Sequence, residues 1–117
     1  MRIRTQVFLT ALAAVAVVNV PALAADNDAF IKSAMSAAPE GVAKDATIMI
    51  PDGKGGMMTA KKGTNGFTCM PANTPADYPM CGDENSMLWV QAYINHAPPP
   101  PDGKVGLSYM LQGELPS

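Results

Sequence analysis

The chain has two cysteines, Cys69 and Cys81, and the segment between them carries Pro71, Pro75 and Pro79. Each proline fixes φ and removes a backbone donor, so this stretch cannot be helical and at best forms an edge strand. If the thiols are joined, the segment becomes a closed loop of about a dozen residues, and such a closure contributes roughly 3 kcal/mol in the loop-entropy model. The spacing is not the close Cys-x-x-Cys arrangement that depresses one thiol's pKa for redox work. A structural disulfide is therefore expected, with metal ligation or redox chemistry by the two thiols as the alternatives. The choice depends on the compartment in which the protein works.

The N-terminus points to that compartment. Arg2 and Arg4 make a basic start, Val7 to Val20 are apolar apart from Thr10 and Asn19, and Ala22-Leu23-Ala24 forms a small-x-small cleavage site. This pattern predicts a signal peptide over residues 1–24 with cleavage before Ala25. About 14 apolar residues are too few to span about 30 Å of hydrocarbon. No second long apolar run follows, so no membrane association is expected after cleavage. A periplasmic or secreted protein, in an oxidising compartment, is the expectation.

Removal of 24 of the 117 residues leaves 93, which form one small domain over residues 25–117. All 10 acidic residues but only 6 of the 8 basic ones lie in that part, giving it a net charge of −4. A nucleic-acid or anionic-membrane binder needs a basic footprint, so neither partner is expected. Glycine and proline make up 20 of the 93 residues and apolar residues 39. Such a chain builds short elements and a thin core, for which a covalent bridge matters.

Phe30, Ile31, Ala34, Met35 and Ala38 recur at helical spacing, with Asp26 or Asn27 placed to cap and Pro39-Glu40-Gly41 to stop. They predict an amphipathic helix over 26–38 that covers one face of a sheet. Ala46 to Ile50 reads as a strand, Pro51-Asp52-Gly53 as a turn, and Met57 to Lys61 as the returning strand. The turn Gly63-Thr64-Asn65-Gly66 leads to a further extended piece, Phe67 to Met70. Asp83-Glu84-Asn85-Ser86 opens a second helix, with Met87, Val90 and Ile94 along one face and Trp89 and Tyr93 beside it. Pro98 to Pro101 end that helix as a stiff connector, and Val105 to Leu111 is a last strand. Pro-Asp-Gly-Lys occurs at 51–54 and again at 101–104, but the flanks differ, so recurring turn chemistry explains it better than duplication. The fold expected is α+β: two helices on a short antiparallel sheet with one disulfide-closed loop.

Little in this chain points to catalysis. Gly53-Lys54-Gly55-Gly56 lacks the Gly-Lys-Ser/Thr ending and following helix of a phosphate loop. Gly106-Leu107-Ser108-Tyr109-Met110 lacks the closing glycine of a nucleophile elbow, which leaves His96, the chain's one histidine, without a sequence-level partner. Asp83 and Glu84 are adjacent at a helix start, where they cap. The expectation is a non-enzymatic binding or structural protein needing no cofactor. Methionine is the compositional oddity, with eight after the signal. Thioethers suit Cu(I), and Cys69-Met70-Pro71 and Pro79-Met80-Cys81 are mirror-like. A bridge would hold Met70 and Met80 together, and with His96 they would form a three-ligand copper site. The alternative role for the methionines is adaptable packing where large aromatics are few, with Met35, Met49 and Met87 on core faces.

Gly63-Thr64-Asn65-Gly66-Phe67-Thr68-Cys69-Met70-Pro71, then Pro79-Met80-Cys81, Met87, Trp89, His96 with its prolines, and Gly106 to Gly113 together resemble a family of small exported bacterial proteins. The resemblance covers about half of residues 25–117 and implies no particular activity, cofactor or partner. Members of that family continue past the Tyr-Met-Leu-Gln-Gly segment with a further histidine and more strand. This implies that the C-terminal part of the domain is missing here and that Val105 to Leu111 is an exposed edge.

Overall fold

The computed structural model describes residues 21–73, 77–101 and 103–113. The expected export signal lies outside the described residues up to position 20. The first helix, α1, spans Pro21–Met35 and so begins before the expected Asp26, running through Ala22, Ala24 and Ala25. Alanine has the highest helix propensity, and proline is favoured in a first turn because its φ is preset and its missing N–H is not needed there. The helix also ends earlier than expected. The Ser36 amide is shared between the carbonyls of Lys32 and Ser33, and the Ser36 hydroxyl donates to the Ser33 carbonyl at 2.6 Å. Pro39 then disfavours α conformation in the residue before it. A single further turn, α2, spans Glu40–Ala43 and was not expected from the sequence.

Strands β1 (Thr47–Pro51) and β2 (Met57–Lys61) form an antiparallel hairpin close to the expected bounds. Asp52 Oδ1 closes its turn by accepting from the amides of Lys54 at 2.7 Å and Gly56 at 3.0 Å. Strand β3 (Thr68–Met70) pairs with β1 in parallel, which corrects the expectation of an antiparallel sheet. The reason lies in the crossing at Gly63. After β2 the chain is back at the start of β1, where the Thr64 amide donates to the Asp45 carbonyl and the Gly63 amide to Thr47 Oγ1. A Cβ at Gly63 would lie 2.2 Å from the Ala46 carbonyl carbon, so the chain passes directly over the beginning of β1. It emerges on the other side of β1 and runs in the same direction.

Strand β4 (Met80–Gly82) returns antiparallel to β3, and a two-residue strand β5 (Ser108–Tyr109) pairs antiparallel with β4. The result is a five-stranded mixed sheet in the order β2-β1-β3-β4-β5. Helix α3 (Glu84–Ile94) starts where expected, and Asp83 caps it. Asp83 Oδ1 accepts from the Ser86 amide at 2.8 Å and Oδ2 from the Leu107 amide at 3.0 Å, so one carboxylate ties the helix start to the entry of β5. With α2, the described helices number three where two were expected.

One face of the sheet carries Ile48, Ile50, Cys69 and Cys81, all fully buried beneath Ala34, Ala37 and Ala38 from α1 and the turn after it. The alanines let the backbone come close, and the Cys81 sulfur lies 3.6 Å from the Ala34 carbonyl oxygen. Oxidised sulfur has no proton to donate, so this is a packing contact. Phe67 and Tyr109 close the edge of this core with ring centroids 5.8 Å apart.

Candidate functional site

Cys69 and Cys81 are joined by a disulfide and stand directly opposite each other on β3 and β4, with Cα atoms 4.0 Å apart. The register of that pair extends across the sheet. Ile48 faces Cys69, Cys69 faces Cys81, and Cys81 faces Tyr109, forming one row whose side chains meet α1 or the core edge. Successive strand residues point to opposite faces. The neighbouring row, one residue along each strand, therefore points the other way and reads Met49, Met70 and Met80, and Met110, directly after the end of β5, joins Met70 and Met80 at the same cleft. Met70 and Met80 are a direct cross-strand pair, and Met57 reaches the same face from β2 because it is paired with Pro51, two residues beyond Met49.

Helix α3 covers part of this outer face. It packs over Gly82, where an added Cβ would meet Ser86 Oγ at 2.8 Å and Met87 Sδ at 3.4 Å. The methionine end of the face is left as an open cleft of about 570 Å³. Met57, Met70, Met80 and Met110 line it with Asp77, Tyr78 and Ile94. Met57, Met70 and Met80 are half-buried, and Met110 is 45% exposed. Met49 is half-buried on this outer face, not on the core face expected for it. Met35 does pack against the core.

The structure thus brings Met70 and Met80 together as the sequence suggested. His96 stands apart from them. Ile94 still lines the cleft, but the chain turns at Asn95 and His96 adopts a positive φ of 51°, which leaves the imidazole exposed and outside the cleft's lining. Ser108 is not beside His96; its hydroxyl shares a hydrogen bond with the Ser86 hydroxyl at the start of α3. Among the described residues no three His, Cys, Asp or Glu side chains gather as metal ligands. Sequence reasoning missed Met57 and Met110. The signal that could have found them is the one-residue offset between Met70 and Cys69 and between Met110 and Tyr109, and it becomes readable only once the strand register is known.

Comparison of the chain with family models, curated proteins and solved structures finds no match in any of the three.

Proposed function

We propose that the protein acts outside the cytoplasm as a small non-enzymatic binding module, and that its binding surface is the methionine cleft on the outer face of the sheet. The observation that carries this reading is the alternation across the disulfide: one row of side chains builds the core, and the next presents Met70, Met80 and Met110 to an open cleft that Met57 of β2 also lines. Unbranched thioether side chains adapt to different ligand shapes, which is why methionine is favoured on surfaces that bind apolar partners. The loop of residues 70–80 supplies several of the lining residues, so the bridge that closes it also braces the cleft. Export is supported by the basic-apolar-small N-terminal pattern and by the disulfide. Among the described residues no helix is long and apolar enough to cross a membrane.

The test is methionine-methyl NMR of the protein purified from an exporting cell, titrated with an apolar fluorophore such as anilinonaphthalene sulfonate and with a panel of short apolar peptides. The methyl signals of Met57, Met70, Met80 and Met110 should move while that of Met35 stays in place. A cleft that responds to none of these probes would overturn the reading, as would turnover in a hydrolase or redox panel that is lost in His96→Ala.

A further inference from the structure

We infer that the methionine row is a binding site for a soft monovalent cation, Cu(I), with the thioethers of Met70, Met80 and Met110 as ligands, Met57 bordering them, and His96 taking no part. This rests on the reading of the cleft as the binding surface and specifies its ligand.

Geometry is the first support. Met70 and Met80 are directly opposed across an antiparallel pair, and Met110 directly follows Tyr109, the last residue of β5 and the partner of Cys81, and lines the same cleft as Met80. Directly opposed residues have Cβ atoms about 4.5–5.5 Å apart, and adjacent strands are about 4.7–4.9 Å apart. Three flexible thioether arms starting from those positions can converge on one ion at metal–sulfur distances of about 2.3 Å. A sheet also sets the spacing of its ligands, and here the Cys69–Cys81 bond locks the central pair of strands one residue away from the Met70–Met80 pair.

Chemistry selects the ion. Thioethers are neutral and soft, so they favour Cu(I) over harder divalent ions that need imidazole, thiolate or carboxylate donors. Both thiols are consumed in the disulfide, and the described residues hold no other such donor cluster. A monovalent ion on neutral ligands keeps its charge, and the Asp77 carboxylate lines the same cleft to offset it. Placement argues against these methionines being mere filler. None of them belongs to the buried core, which is built from alanine, isoleucine and the disulfide. Binding is simple coordination: the ion enters as Cu(I), no electron is transferred, and no proton is displaced from sulfur.

The test is an anaerobic competition titration of the disulfide-intact protein with Cu(I) bicinchoninate, alongside Met70→Leu, Met80→Leu, Met110→Leu and His96→Ala. Leucine keeps the volume and removes the sulfur. One ion should bind per chain with sub-micromolar affinity. Losing even an outer-shell partner costs about 10–100-fold in metal affinity, so each leucine variant should lose at least about tenfold. His96→Ala should bind like the parent. Because a leucine variant that misfolded would also lose affinity, the unmodified protein is titrated with Ag(I) as a redox-inert stand-in, which should shift the methyl signals of Met70, Met80 and Met110. No Cu(I) binding tighter than micromolar overturns the inference, and so does binding that the leucine variants leave intact or that His96→Ala abolishes. If the apolar probes still move the cleft methyls while Cu(I) does not bind, the metal inference fails and the binding-module reading stands. If neither binds, both fail.

Discussion

Gly63 is the residue on which the parallel pairing turns. The added Cβ would sit 2.2 to 2.4 Å from backbone atoms of Asp45, Ala46 and Thr47, none of which is a flexible side-chain end that could move aside. Gly63→Ala should therefore force the crossing away from β1 and cost about 1–3 kcal/mol, the usual range for overpacking. Gly41 is the internal control, because nothing lies within 4 Å of a Cβ added there. It sits inside α2, where alanine is a better helix former by about 0.5–1 kcal/mol, so Gly41→Ala should leave the urea midpoint unchanged or raise it. Equal shifts for the two variants would mean that the crossing does not carry the strain assigned to it. At this scale the sequence was partly legible. The turn residues at 51–53 and the cap at Asp83 announce themselves through local side-chain chemistry, since each acts on backbone a few positions away. Gly63 looked like one more turn glycine, because the backbone it touches lies some 17 residues earlier in the chain.

At the level of elements, pieces flanked by turn or cap chemistry were readable, the three-residue β3 after the 63–66 turn among them, whereas α2 and β4 were not. α3 and the β1–β2 hairpin have caps, turns or periodicity of their own. β4 has three residues and follows Pro79, so no period exists to read, and its identity comes from Cys81 being bonded to Cys69 on β3. The bridge thus defines an element that the local sequence does not. Removing it with Cys69→Ala and Cys81→Ala together should lower stability by about 3 kcal/mol, the entropy of closing a loop of this length. Urea unfolding of the double variant against the oxidised parent measures this. The two sulfurs are fully buried against α1, so lost packing adds to the entropic term and the observed change should not fall below it. A difference under about 1 kcal/mol would show that β3 and β4 hold their register without the bond. The mixed sheet was beyond the sequence for a related reason: parallel or antiparallel pairing depends on which edge of β1 the chain reaches after Gly66, and no residue within β3 encodes that.

Across the whole molecule, burial is uneven. Among the described residues, the buried apolar core lies between Ala34 and Cys81. Beyond it, Leu88, Trp89, Tyr93, Ile94, Val105, Leu107, Met110 and Leu111 are all exposed. Apart from Tyr109, whose ring packs beside Phe67 at the core edge, the C-terminal part of the described chain is held by polar ties: the Asp83 carboxylate on the Ser86 and Leu107 amides, the two pairs of β5, and the Leu111 amide donating to the Ala37 carbonyl. Local opening free energy follows buried apolar contact, so hydrogen exchange should be slowest in β1, β3 and β4 and should begin in residues 105–113. Met110 sits in that fast-exchanging segment, whereas Met70 and Met80 are fixed beside the disulfide. A cation held by all three would couple the loose segment to the rigid one. Saturation at 100 times Kd stabilises the binding-competent state by about 2.7 kcal/mol, which corresponds to roughly a hundredfold slower opening. Exchange by mass spectrometry with and without Ag(I) should therefore show residues 107–113 slowing by up to that factor while β1 changes little. Uniform slowing across the chain, or none, would place the ion somewhere other than between β4 and the segment after β5.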